Sequence, residues 1–271
     1  MVELFDRDQR QNNRKSSKGN QLKWEKNGIW YKADYTGYEG LAEYVISALL
    51  GMSSFTDSEF VAYSQEEIHY NLQIFMGVSC KNFLSEGEQL ITLERLFHSA
   101  YGIGMNRMIY SIESHEERLR TLVNKTIEIT GLRDFGRYMS KVLTIDAFFL
   151  NEDRHSHNIA VILGSDGHYR YCPLFDHGAG LLADTTMDYP LLGDTYELMS
   201  SVRAKTFCED FDEQLEIAEK LYGRGVGFDF TKEDAEHILD NSFGYDKAIT
   251  DRVRDIIYEQ MRKYAYLLRR Q

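Results

Sequence analysis

From residue 146 to residue 176 the chain reads DAFFLNEDRHSHNIAVILGSDGHYRYCPLFD. A hydrophobic run empties into Asn151-Glu152-Asp153-Arg154-His155-Ser156-His157-Asn158, and two short apolar runs then lead to Asp176. Just upstream, Leu132, Phe135, Met139, Val142 and Leu143 recur at helical spacings. That pattern predicts a core-facing helix with the polar loop at its C-terminal end. Downstream, residues 159–163 read as a buried strand, Gly164-Ser165-Asp166-Gly167 as a turn and residues 168–172 as the returning strand. Pro173 limits pairing beyond that point. The expected hairpin carries Asp176 back toward the loop.

Phosphoryl transfer needs a carboxylate for the acceptor hydroxyl, an amide oxygen for a metal, and a second carboxylate that holds the metal under the phosphates. Asp153, Asn158 and Asp176 supply those groups in that order. Asp153 and Asn158 are five residues apart, the offset of base and metal-binding Asn in the kinase catalytic loop. On this reading Asp153 orients the hydroxyl, and Asn158 and Asp176 hold magnesium. Asp146, Arg154 and His155 support the loop rather than react.

The N-terminal third reads as strands and one helix. Asn27-Gly28, flanked by 22–26 and 29–33, predicts a type I′ hairpin. Alternation puts Trp30 and Lys32 on one face and Ile29, Tyr31 and Ala33 on the other. Leu41, Ala42, Val45, Ile46 and Leu49 trace a helical stripe that Gly51 ends. Lys32 is the candidate phosphate ligand, with Glu43 or Glu39 from that helix as its partner. Residues 67–80, with the mixed run 70–78, read as strands and 79–83 as a hinge. Gly102-Ile103-Gly104 is a loop before a helix, and no Walker-type Gly-x-x-x-x-Gly-Lys-Ser/Thr stretch occurs. Residues 178–194 are irregular, Thr231 with Asp234 starts a helix, and 249–268 reads as a terminal packing helix. Residues 1–20 are polar and turn-rich, so order is expected to begin near Gln21.

The 271 residues, 43% hydrophobic and 13% aromatic, suffice for two modest domains or one two-lobed unit of class α+β. Net charge is −12, from 31 basic and 43 acidic residues, which excludes a general nucleic-acid-binding role. Cys80, Cys172 and Cys208 are odd in number and widely spaced, as in a reducing compartment. There is no secretory signal and no apolar run of about eighteen residues. The expectation is a cytoplasmic protein without a membrane span.

The loop residues Asn151, Asp153, Arg154, His155 and Asn158, with Pro173, Leu174, Phe175, Asp176 and Gly178, resemble the HipA-like serine/threonine kinases, including the short, single-unit members related to the cell-translocating kinase. Ser16-Ser17-Lys18-Gly19-Asn20-Gln21-Leu22-Lys23 resembles that family's Ser-x-x-Gly-x-Gln-x-Lys phosphate loop, with Leu22 where Pro is usual. The resemblance implies a two-lobed protein-kinase-like fold: 1–20 a flexible segment leading into the phosphate loop, 21–83 a small β-rich lobe, 84–271 a larger helical catalytic lobe. It implies ATP and Mg2+ as cofactors and a serine or threonine of a protein as acceptor. Ser16, Ser17, Gly19, Lys32, Glu43 or Glu39, and the hinge residues Cys80, Lys81 and Asn82 would contact nucleotide. Ser16 and Ser17 are autophosphorylation candidates. Because the family includes toxin components, an antitoxin-type partner is implied too; the extra N-terminal domain of the long members is not recognised. Residues 205–207 and 211–214 resemble a further family segment. Alternative readings are a small-molecule or lipid kinase, a nucleotide-binding protein without turnover, and a metal-dependent hydrolase using Asp153, His155, His157, Asp176 and His177.

Overall fold

The computed structural model describes residues 1–10 and 21–269. In chain order the elements are β1 (Val2–Glu3), β2 (Lys23–Lys26), β3 (Ile29–Ala33), α1 (Glu39–Leu50), β4 (Ser64–Tyr70), β5 (Gln73–Lys81), β6 (Gln89–Thr92), α2 (Leu93–Tyr101), α3 (Met105–Ile109), α4 (His115–Thr130) and α5 (Phe135–Phe149). Then follow β7 (Ala160–Leu163), β8 (Tyr169–Tyr171), α6 (Thr195–Ser201), α7 (Phe211–Tyr222), α8 (Lys232–Asp240) and α9 (Lys247–Lys263). The α+β class expected from the sequence is observed. Among the described residues no helix is long and apolar enough to cross a membrane. The chain divides into two compact units: Met1–Phe83 with Phe175–Val202 and Phe228–Gln271, and Leu84–Leu174 with Arg203–Gly227.

The first unit is built on a five-stranded sheet ordered β1-β4-β5-β3-β2, in which only the β1–β4 pair is parallel. Asn27 and Gly28 take φ of 55° and 76°, the positive values a type I′ turn requires. Tyr31 and Ala33 enter a core with Leu4, Trp24 and Ile68, so Lys32 is on the opposite face, where α1 lies. The expectation of order only from Gln21 fails for residues 1–10. Val2 pairs with Ile68 and Glu3 with His69, because apolar Leu4 fills the Trp24 cluster. Gln9 bridges Trp24, and the Arg10 amide donates to Lys23 O at 2.9 Å. The same short segment thus pairs with β4 at one side of the sheet and touches β2 at the other.

Two further differences concern turns. Strands do occupy the 67–80 stretch, β4 and β5, and the hairpin turn between them falls at Asn71 and Leu72, with φ of 49° and 63°. The sequence lacks the glycine that normally marks such a turn, and Leu72 is fully exposed there. Strand β5 then runs on to Lys81, so Ser79, Cys80 and Lys81 are ladder residues facing Tyr31, Trp30 and Ile29. Gly51 does end α1, but in right-handed conformation at φ −61°. The terminal helix stops at Lys263 and a 3₁₀ turn, Ala265–Leu267, follows it.

The second unit packs α2, α4, α5 and α7 around Leu96, Phe97, Leu119, Leu122, Phe135, Met139 and Leu143. Strand β7 pairs with β8 as the sequence predicts, and also with β6, which it does not. Leu132 precedes the helix and packs at the margin of this core.

Close backbone approach in the first unit rests on small residues. A Cβ on Gly77 of β5 would lie 2.1 Å from Lys32 O, and one on Gly40 of α1 would lie 2.9 Å from the Gly77 Cα. The helix can therefore sit almost on the sheet. Gly77→Ala is expected to cost about 1–3 kcal/mol, as overpacking does, read as a lower midpoint in denaturant unfolding.

Candidate active site

In the first unit, Lys32 Nζ donates to Glu43 Oε1 at 2.6 Å and to Asp176 Oδ1 at 2.9 Å. Glu43 is 2% exposed and stands inside the apolar stripe of α1. An isolated carboxylate there would be very costly, so its cation is obligatory. Its other oxygen, Oε2, accepts from the His177 amide at 3.0 Å and so ties the segment after Asp176 to α1. Burial alone would lower the Lys32 pKa, but Asp176 and Glu43 outweigh it and hold the ammonium well above its ordinary value. Tyr63 completes the group. Its hydroxyl accepts weakly from Lys32 Nζ and the Asp176 amide, both at 3.4 Å, and Nζ lies 5.2 Å from its ring centroid. Asp176 has φ 62°, a left-handed conformation that Asp tolerates better than most residues and that clusters at functional sites.

Glu39 is not the partner of Lys32. Its carboxylate accepts from the Tyr35, Thr36 and Gly37 amides and from Thr36 Oγ1, bracing the turn that leads into α1. Asp34 anchors the same end: Oδ1 accepts from the Gly40 amide at 2.5 Å and Oδ2 from the Tyr245 hydroxyl at 2.8 Å. Burial raises its pKa to about 7, against the lowering effect of those two hydrogen bonds. Lower on α1, Ser47 Oγ accepts from the Tyr63 amide at 3.1 Å. One helix thereby places Glu43 and steadies Tyr63.

In the second unit, α5 ends at Leu150, whose φ of 54° turns the chain into the polar loop. Asp146 is buried and takes Arg154 Nε at 3.1 and 3.0 Å and Asn151 Nδ2 at 2.7 Å. Desolvation raises the Asp146 pKa, and the Arg154 charge works against it. Arg154 Nη1 also donates to Asn158 O at 2.9 Å, and Thr206 Oγ1 donates to Arg154 O at 2.8 Å. The supporting roles read for Asp146 and Arg154 are these contacts. Asn158 Nδ2 donates to Asp153 O at 2.9 Å and Oδ2 at 3.3 Å, so the amide nitrogen faces Asp153 and the amide oxygen is turned away from it. His155 Nε2 stands 3.7 Å from Asp153 Oδ1, while its Nδ1 accepts from the His157 amide at 3.2 Å.

Lys32, Glu43 and Asp176 are thus brought together in one unit, and Asp153 with Asn158 in the other. Ser16, Ser17 and Gly19 lie outside the described residues. Cys80 and Lys81 belong to β5, and the Asn82 amide donates to Gly28 O at 2.8 Å. Burial pushes the Cys80 thiol up to about 11. The sequence missed Tyr63, Asp34 with Tyr245, and Thr206. Only Thr206, in the stretch that resembles a family segment, carried any signal. Among the described residues the one group of His, Cys and acidic side chains within reach of a single ion is His115, Cys208 and Glu213.

Neither a protein-family model nor a curated protein matches the sequence. Among solved structures, the Helicobacter pylori proinflammatory kinase CtkA is similar at a TM-score of 0.60, with 17% sequence identity over 92% of this chain and 89% of that one. The chain has the CtkA fold. At that identity the likeness to CtkA speaks for architecture, and chemistry has to be argued from the side chains.

Arg154→Ala strips Asp146 of its buried cation and is expected to destabilise by about 3–5 kcal/mol, measured by denaturant unfolding. Asp34 binds its proton more tightly folded than unfolded. Its contribution to stability is therefore complete below about 4 and lost as pH rises through about 7. Asp34→Asn should flatten the fall in melting temperature across that interval, followed by scanning calorimetry.

Proposed function

We propose that the chain is an ATP- and Mg2+-dependent kinase that phosphorylates a serine or threonine hydroxyl of a protein, itself included. The observation that carries this reading is the buried Lys32–Glu43–Asp176 group. A lysine held charged by a helix glutamate, beside a carboxylate on a strained turn, is what phosphate and metal binding demand. The CtkA fold supports the assignment.

The donor chemistry fits the cofactors. Asp176 and the Asn158 amide offer oxygens, the ligands a hard divalent cation prefers, and these two residues would hold Mg2+. The bound ion would neutralise phosphate charge as it develops. Lys32 binds phosphate oxygens, and Glu43 keeps its side chain extended in one rotamer. Asp153 accepts a hydrogen bond from the incoming hydroxyl and draws its proton. Asn158, hydrogen-bonded to Asp153, and Arg154, anchored on Asp146, fix that carboxylate before substrate arrives. Cys80, Lys81 and Asn82 remain the proposed adenine contacts, and Ser16, Ser17 and Gly19 the proposed phosphate loop. A protein acceptor and a cytoplasmic setting belong to the same reading.

The test combines nucleotide titration with labelled-ATP transfer to the chain itself, to proteins and to small-molecule or lipid acceptors. Asp176→Asn should lose Mg2+-dependent nucleotide binding. Asp153→Asn should keep it and lose transfer by roughly 10²–10⁴-fold, the usual range for a general base. Mass spectrometry is expected to find phosphate on the peptide holding Ser16 and Ser17. Unchanged metal-dependent binding in Asp176→Asn refutes the assignment, and transfer to small acceptors alone moves it to the other kinase class.

A further inference from the structure

We propose that His115, Cys208 and Glu213 bind a zinc ion that staples two helices of the second unit to the segment behind the Asp153 loop. The Nδ1 or Nε2, Sγ and carboxylate atoms of the three residues all lie within 4.8 Å of one another. They come from three places: the first residue of α4, the link before α7, and the first turn of α7.

The backbone under each ligand is already pinned. Ser114 Oγ caps α4 through the Glu117 amide at 3.3 Å, and Asp210 Oδ1 caps α7 through the amide of Glu213 itself at 2.9 Å. Buried Gln214 donates to Cys208 O at 2.7 Å, and Cys208 Sγ lies 3.5 Å from Asp210 O. His115 Nδ1 and Glu213 Oε1 are 2.6 Å apart, a hydrogen bond that keeps the two outer ligands side by side and that the ion would replace. Capped helix ends and a fixed thiol hold the three directions without the ion.

Sulfur, imidazole nitrogen and carboxylate oxygen form a set that suits Zn2+ and ill suits Mg2+ or Ca2+, which take oxygen. Ligand atoms on a tetrahedral zinc stand roughly 3.5 Å apart. Reaching that spacing takes about 1 Å of movement, the His115–Glu213 pair opening and any wider separation from Cys208 closing, available to the half-exposed His115 and the exposed Glu213 while buried Cys208 stays put. Three protein ligands leave the fourth position to water on the open side. A thiolate and a carboxylate balance the two positive charges. On binding, the Cys208 proton passes to solvent, and His115 presents an unprotonated nitrogen, any proton now on Nδ1 moving to Nε2 or to water. Arg118 brings a positive charge to Phe207 O, and Glu209 and Asp210 flank Cys208 with negative ones. Thr206, two residues before Cys208, is the residue that bonds Arg154 O, so metal binding would tighten the support of that loop.

The test uses the full chain, stripped with chelator, and Co2+ or Zn2+ as the only additions. One Co2+ per chain should produce a thiolate-to-cobalt charge-transfer band that one Zn2+ removes. Cys208→Ser should abolish the band, and Glu213→Gln, at an exposed position that leaves folding intact, should weaken Zn2+ binding at least about tenfold. The melting temperature should rise with Zn2+ in the native chain and not in either variant. No band at equimolar cobalt, a band that survives Cys208→Ser, or undiminished affinity in Glu213→Gln would overturn the proposal.

Discussion

A carboxylate buried to 2% exposure in the apolar stripe of a helix has to be met by a cation, and Glu43 is met by Lys32. That one requirement organises the first unit. It fixes how near α1 must come to β3, and glycine at 40 and 77 permits the approach. It also explains why Lys32 needs the sheet face opposite the Tyr31–Ala33 core. The second oxygen of Glu43 then collects the His177 amide, so the turn that carries Asp176 is placed by the same side chain. Helix, strand and returning segment meet on a single carboxyl group.

The second unit solves a related problem by a different route. Its loop has no regular ladder to hold it, and the buried Asp146–Arg154 pair with Asn151 and Thr206 takes that place. Buried pairs contribute little net stability against apolar replacements, because desolvation offsets the attraction. Their use here is specificity of position: Arg154 reaches the Asn158 carbonyl, Asn158 reaches Asp153, and neither has to search for its geometry. The separation of roles follows from burial. Asp146 is almost wholly enclosed, whereas the Asp153 side chain retains 14% exposure, enough to be met from outside.

Much of this was legible in the residues because the signals were local. Asn27-Gly28 dictates its turn, the apolar spacing before Asp146 dictates α5, and the Gly164–Gly167 turn dictates the β7–β8 hairpin. The rest depends on long-range contacts that no local pattern encodes. Helical periodicity could not choose between Glu39 and Glu43, since the choice rests on which one the sheet buries. Tyr63 sits in an irregular stretch, and its amide is held by Ser47, sixteen residues earlier. The Asn71–Leu72 turn lacks glycine, and β1 is two residues long, so propensity and alternation had nothing to count.

That short β1 has a consequence for how the chain matures. A sheet's outer strands expose unpaired amides and carbonyls that invite pairing with other chains. Here β1 covers β4 while Gln9 and Arg10 cover β2, both from one segment. Yet β1 leaves the ribosome about sixty residues before its partner strand around Ile68 exists. During synthesis β1 therefore waits with its own amides and carbonyls unpaired until β4 emerges, and the finished unit is better guarded against self-association than the intermediates that precede β4.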